Sequence, residues 1–231
     1  MIPNQLGREV VVVFVKFPTP GQFKTRLAGS LGDDRTLLIY NELVELTFSA
    51  VDEWTRGGPG GIAPPALRSV QIAFTPASLE AECRAWLADA LRTWPAPPEW
   101  IPQVTGDLGV RLQHVFHESL TTGFSRVCAI GSDCPGLTAT FLEQAFLHLV
   151  GHDVTIGPTS DGGYYLIGLN SHRPELFAEI PWSTENTLNV TLDRAQHAGL
   201  SVALLPPLDD IDTEADWRRW QAGQDRATSL E

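Results

Sequence analysis

The chain has 231 residues with 16 basic and 28 acidic side chains, a formal net charge of −12, and 43% hydrophobic residues. That length suits a single α/β domain over 1–231, with its motif-bearing core over about 10–217. The charge argues against nucleic acid or anionic lipid as a partner, and an anionic ligand would need a local concentration of cations or a metal. Cys83, Cys128 and Cys134 form no C-x-x-C pair, which argues against a disulfide framework or a zinc site. No basic segment precedes a long apolar stretch, and no run approaches the ~18 apolar residues of a membrane span. A cytoplasmic home is therefore expected.

Residues 10–15 form a continuous β-branched and aromatic run, the pattern of a strand buried on both faces. A helix is expected over about 22–31. Gly32-Asp33-Asp34 then caps a longer helix through Trp54, with Leu37, Leu38, Leu43, Val44, Leu46 and Phe48 as its apolar face. Gly and Pro crowd residues 56–66, which read as an irregular, mobile loop. Further strands are expected at 70–75, 100–104, 127–131, 154–157, 164–169 and 202–205. Helices at 78–92, 107–122 (capped by Asp107), 138–150 and 185–198 alternate with them. Such alternation argues for a sheet covered by helices on both faces.

The two lysines of the whole chain, Lys16 and Lys24, lie in one segment with Arg26, directly after the first strand. On a Pro/Gly loop that includes Gly21 and leads into a helix, three cations suit a di- or triphosphate, since helix-start N–H groups and side-chain cations favour anions together. The alternative is a solvated loop. The segment is neither a P-loop nor a G-x-G-x-x-G turn. In open α/β sheets ligands bind beyond the carboxyl ends of the strands, so Asp133, after the strand at 127–131, is a plausible half-site for Mg²⁺. It could equally form an Asx turn before Pro135. Asp161-Gly162-Gly163 lets backbone pass close to a ligand, or makes a simple turn. Thr213 and Asp216 approximate a capping box, which leaves Asp209, Asp210 and Asp212 unexplained. Gly151 ends the helix between His148 and His152, so zinc is not expected there. His114 and His117 read as ordinary positions on a helix face, and Cys134 as a small buried thiol.

Six segments taken together resemble one bacterial family. They are 16–27 (Lys-Phe-Pro-Thr-Pro-Gly-Gln-Phe-Lys-Thr-Arg-Leu), 106–112 (Gly-Asp-Leu-Gly-Val-Arg-Leu), 130–135 (Ile-Gly-Ser-Asp-Cys-Pro), 157–169, 181–184 (Pro-Trp-Ser-Thr) and 210–213 (Asp-Ile-Asp-Thr). In this order they are similar to DUF2064, a family of GT-A-type proteins assigned to glycosyl transfer. More distantly, the lysine loop resembles that of the phospholactate or phosphoenolpyruvate guanylyltransferases. The resemblance implies a single Rossmann-like nucleotide-diphospho-sugar transferase domain, with a mostly parallel mixed sheet in which the strand after Asp161 runs antiparallel. It implies Mg²⁺ or Mn²⁺ held by Asp133 and completed by Asp212. Glycosyltransferases of this fold often carry Asp-x-Asp, whereas Asp133 is followed by Cys134 and Pro135, so a further ligand must come from elsewhere in the chain.

The function expected is glycosyl transfer from a nucleotide-diphosphate sugar to a small-molecule acceptor. Lys24 and Asp161 would be catalytic, and Lys16, Gly21, Lys24, Arg26, Gly162 and Gly163 would bind the phosphates. Nucleotidyl transfer from an NTP to a phosphorylated small molecule, and a non-catalytic nucleotide-binding module, are the alternatives.

Overall fold

The computed structural model describes residues 7–57, 61 and 63–228. Seven strands form one sheet in the order β3-β2-β1-β4-β6-β5-β7. They are β1 (Glu9–Lys16), β2 (Arg68–Thr75), β3 (Glu99–Pro102), β4 (Arg126–Ile130), β5 (Val154–Pro158), β6 (Tyr164–Leu169) and β7 (Val202–Leu204). β6 runs antiparallel to both its neighbours, and every other pairing is parallel. The helices are α1 (Thr25–Leu31), α2 (Asp33–Thr55), α3 (Glu80–Trp86), α4 (Ala88–Leu91), α5 (Leu108–Thr121), α6 (Ala139–Gly151), α7 (Thr187–His197) and α8 (Glu214–Thr228). No helix among the described residues is long and apolar enough to cross a membrane.

Alternation along β1 builds two cores. Val11, Val13 and Val15 pack with α2, α3 and α6, while Val10 and Val12 pack with α5 and α7 on the opposite face. The amino end of the sheet is closed by buried ion pairs. Arg68, opening β2, meets Glu143 of α6 at 2.6 and 3.1 Å, and Glu9, opening β1, meets Arg126, opening β4, at 3.0 Å. Burial pushes both glutamates above the ordinary carboxylate range, against the pull of their arginines. The chemistry-bearing loops collect at the opposite, carboxyl end of the sheet.

Several expectations are revised. The helix expected over 22–31 begins only at Thr25, because Lys24 sits in the left-handed region at φ 41°, ψ 46°. Leu38 is 70% exposed and Leu46 36% exposed, so α2 buries Ile39, Tyr40, Leu43 and Val44 instead of the wider face predicted. The helix expected over 78–92 breaks at Leu87 into α3 and α4. The break coincides with burial of Leu87 at 1% exposure, next to Trp86, which stacks on Tyr40 and donates to Asn41 Oδ1 at 2.9 Å. Strand β3 stops at Pro102, two residues short of the expected end. The loop predicted over 56–66 lies partly at 58–60 and 62, outside the described residues; within its described part a 3₁₀ turn begins at Pro65.

Candidate active site

β1 lies between β2 and β4, so consecutive connections leave it in opposite directions and open a crevice beyond the carboxyl ends of β1 and β4. Three distant stretches of chain meet there. After β1, the turn closed by Gln22 N–H to Thr19 O leads to Lys24. After β4 comes Asp133. The third stretch is 208–212: Leu208 N–H donates to Pro158 O at 3.1 Å, and Ile211 N–H donates to Asp133 O at 3.0 Å. Ile211 is buried against Leu27, Ile39 and Trp217, so Asp210 and Asp212, flanking it at i and i+2, both project toward the crevice. Asp216 holds the segment from behind, accepting from Thr213 N (2.7 Å), Thr213 Oγ1 (2.7 Å) and Asp212 N (3.2 Å).

Lys24 is the hub. Its ammonium donates to Asp133 Oδ2 at 2.8 Å and to Asp212 Oδ1 at 2.7 Å, with 8% of the side chain exposed. Burial works against the ammonium, but the two carboxylates outweigh it, and the net effect raises its pKa. Lys24 is therefore a fixed positive charge and not a base. A non-glycine residue at φ 41° costs of the order of 1 kcal/mol, which the two charge-assisted hydrogen bonds offset. Arg26 pairs with Asp212 from the solvent side. Lys16 is more exposed, its ammonium bonded to Gln22 O, while its backbone is pinned by the Tyr40 hydroxyl, which accepts from Lys16 N and donates to Lys16 O. Gly21, at φ 72°, has open space where a Cβ would stand and lines neither of the two cavities described below, so the structure does not bring this predicted phosphate-binding position into the site.

Asp133, Asp210 and Asp212 each offer an oxygen within 4.8 Å of the others. Burial, and then the neighbouring charges of Asp133, Asp161 and Asp212, push the Asp210 carboxyl up to about 6. Three hard oxygen donors around a position where an ammonium already bridges two of them fit Mg²⁺ or Mn²⁺ in chemistry and charge.

Two cavities share this centre. The first, about 490 Å³, runs from the cluster over the ends of β1 and β2. Gln103 lies in it, donating to Ala73 O (2.7 Å) and Val15 O (3.3 Å) while accepting from Arg111 at 3.1 Å. The second, about 340 Å³, lies on the β6 side and contains Asp161 and Gly163. Asp161 Oδ1 accepts from Thr159 Oγ1 and Gly163 N. Gly162 does not line either cavity. A Cβ there would fall 2.1 Å from the Glu185 carbonyl oxygen, so this glycine is required by backbone packing and by φ 89°.

Of the residues singled out in the sequence, Lys24, Arg26, Asp133 and Asp212 are in direct contact with one another, and Lys16, Asp161 and Gly163 stand around them. Asp210 and Arg111 were not assigned roles from sequence. The Asp-x-Asp spacing at 210–212 in an extended, turn-rich segment was the available signal for the first. For Arg111, the signal was its place one turn into a helix opened by Asp107, which accepts from Val110 N at 2.9 Å. His148 contacts Thr155 Oγ1 and is in no metal cluster among the described residues, and Cys134 is buried with its thiol pushed up to about 12.

Comparison with known proteins places this architecture. The family described as "Uncharacterized protein conserved in bacteria (DUF2064)" matches residues 65–184. A candidate nucleotide-diphospho-sugar transferase from Desulfovibrio desulfuricans G20 is 30% identical, with 89% of this chain and 82% of that chain covered and a TM-score of 0.76. The chain belongs to the DUF2064 family and has the nucleotide-diphospho-sugar transferase fold. A nucleotidyl transferase from Methanothermobacter thermautotroptrophicus shares that fold at 14% identity, covering 95% and 99% of the two chains with a TM-score of 0.58. The inositol-1-phosphate CTP transferase from T. maritima does so at 14% identity, 91% coverage of each chain and a TM-score of 0.53. No match is found among curated proteins.

Proposed function

We propose that the protein is a divalent-cation-dependent glycosyltransferase that moves a glycosyl group from a nucleotide-diphosphate sugar to a small hydroxyl acceptor. The observation that carries this reading is the convergence of Lys24, Asp133 and Asp212 at one point, from segments more than 70 residues apart in sequence, beyond the carboxyl ends of β1 and β4. The D. desulfuricans relative, described as a candidate nucleotide-diphospho-sugar transferase, supports the substrate class. In this reading the base lies in the first cavity, over Val15 and Gln103, and the diphosphate lies toward Lys24 and Arg26.

Asp133, Asp210 and Asp212 would hold Mg²⁺ or Mn²⁺, which supplies Lewis-acid stabilisation to a leaving diphosphate. The chain's own contribution is a preset field. Lys24 is charged and fixed by two hydrogen bonds before substrate arrives, so little reorganisation is needed as charge develops on the leaving oxygen. The acceptor oxygen bonds the anomeric carbon, and the bond from that carbon to the diphosphate oxygen breaks with its electron pair leaving on the diphosphate. The hydroxyl proton passes to the Asp161 carboxylate, which Thr159 and Gly163 hold in place.

Nucleotidyl transfer is the second reading, favoured by one observation: the paired acids lie late in the chain, at Asp210 and Asp212, and no Asp-x-Asp follows β4. Product analysis separates the two. With Mn²⁺ and a panel of nucleotide sugars and NTPs, glycosyl transfer releases a nucleoside diphosphate. Release of pyrophosphate from an NTP, with no diphosphate from any nucleotide sugar, would overturn the first reading in favour of the second.

A further inference from the structure

The segment Gly106-Asp-Leu-Gly-Val-Arg-Leu112 takes no part in the transfer step. Three of its residues are explained by the start of α5. Gly106 stands at φ 144°, and a Cβ on it would fall 2.9 Å from the Val110 side chain. Asp107 caps the helix through Val110 N, and a Cβ on Gly109 would fall 2.7 Å from the Phe177 carbonyl oxygen. What this helix start presents to the first cavity is Arg111.

Arg111 Nε donates to Gly106 O at 3.1 Å and its Nη1 donates to Gln103 Oε1 at 3.1 Å. Both anchors are uncharged. Lys24 and Arg26 of the same cavity are paired with carboxylates, whereas Arg111 makes no ion pair among the described residues. The anchors thus fix the guanidinium without neutralising it, in a chain of net charge −12. Of the five N–H groups a guanidinium carries, these two bonds spend two, which leaves three on Nη1 and Nη2. Gln103 has no such reserve, since its amide N–H groups go to Ala73 O of β2 and Val15 O of β1.

Position decides what those N–H groups meet. Gln103 reaches over the ends of β1 and β2, whereas Lys24 and Asp212 gather around Asp133, which follows β4 on the other side of β1. Arg111 therefore stands at the end of the cavity away from the diphosphate.

We propose that Arg111 is the base-selecting residue of the nucleotide site, and that it favours guanine or cytosine over adenine or uracil. The inference rests on a nucleotide occupying the first cavity, as both readings above require, and names the class of base. A planar fork of donors is best met by two acceptors side by side. Guanine offers O6 beside N7, and cytosine offers O2 beside N3. Adenine sets its amino group beside N7 and beside N1, and uracil sets N3–H between its two oxygens. Each of these turns a donor toward the fork and leaves one of its N–H groups unmet.

The test is calorimetry of the whole protein with Mn²⁺ and the diphosphates of guanosine, cytidine, adenosine and uridine. At least one of guanosine and cytidine diphosphate is expected to bind about 10-fold tighter than both adenosine and uridine diphosphate, and the one that does names the base. Arg111→Met should bring all four within about 3-fold of one another, at the affinity of the weaker pair. Arg111→Lys keeps the charge but not the fork, and should lose the ranking as well. Arg111 is half-buried and has no charged partner, so both variants should fold, which melting curves check; the wild-type ranking tests the proposal independently of them. A wild type that binds all four alike, or that prefers adenosine or uridine diphosphate, overturns the proposal. So does an Arg111→Met variant weakened equally for all four, or an Arg111→Lys variant with wild-type affinities, since either makes Arg111 a phosphate contact. Those results leave the nucleotide site standing, whereas no binding of any of the four at millimolar concentration would overturn that reading together with the proposal.

Discussion

The two cavities share five residues, yet cationic and amide side chains line the rest of the first, and carboxylates with aromatic and aliphatic side chains line the rest of the second. The difference comes from which strand ends feed each side. The chain after β1 supplies Lys24, next to Lys16 at the strand's own end, and the chain after β3 supplies Gln103. After β4 comes Asp133 and after β5 Asp161, with Tyr164 opening β6 and Trp182 packed against it. The net charge of −12 says nothing about this arrangement, since the sign of the field is set within a few ångströms of Lys24.

The sharpest way to break the comparison is at the hub between the two cavities. Lys24→Met keeps the length of the side chain and removes its charge. Turnover should fall by about 10²–10³-fold, the loss typical when one preorganised electrostatic group is removed. In the presence of a chelator the variant should also melt earlier than the wild type, because Asp133 and Asp212 then face each other without the ammonium between them, and Mn²⁺ should recover more of that loss in the variant than in the wild type. Unchanged turnover would remove Lys24 from the site.

A smaller effect sharpens the acidic side. The Asp210 carboxyl is raised to about 6 from its ordinary 3.8, so the fold favours its protonated form. That contribution to stability is complete below about pH 4 and is lost as pH rises through 6. Asp210→Asn should therefore raise the Tm of the metal-free protein by about 2–4 °C near pH 7.5, corresponding to roughly 1 kcal/mol for a half-buried, solvent-screened group, with the two proteins converging near pH 4. Parallel melting profiles across that range would show that the three carboxylates do not interact as placed.

Most of the sheet was legible because its strands are short apolar runs with turn residues between them, and β1, buried on both faces, announces itself by six consecutive β-branched or aromatic positions from Val10. Lys24, Asp133 and Asp212 could be singled out because each follows a recognisable strand or motif. Their meeting could not be read locally, since it depends on Ile211 N–H reaching Asp133 O across 78 positions. Asp210 escaped for the same reason, and the break at Leu87 escaped because it is set by burial against α2 and not by a helix-breaking residue. Leu38 shows the converse: helical spacing made it a core candidate, but α1 and α8 pack beside α2 on a narrower stripe and leave it in solvent. The first cavity was thus half legible from its cations, whereas the second, made of β6, the 182–184 turn and the 210–212 segment, exists only once the chain has folded.

The measurement that bears most directly on the account is calorimetry of uridine and guanosine diphosphates, with and without Mn²⁺, against wild type and Asp133→Asn. A shared phosphate and cation site predicts binding in the wild type that strengthens at least ~10-fold with Mn²⁺, and loss of that strengthening in the variant. Binding that is absent at millimolar nucleotide, or an Mn²⁺ effect that survives Asp133→Asn intact, would contradict it.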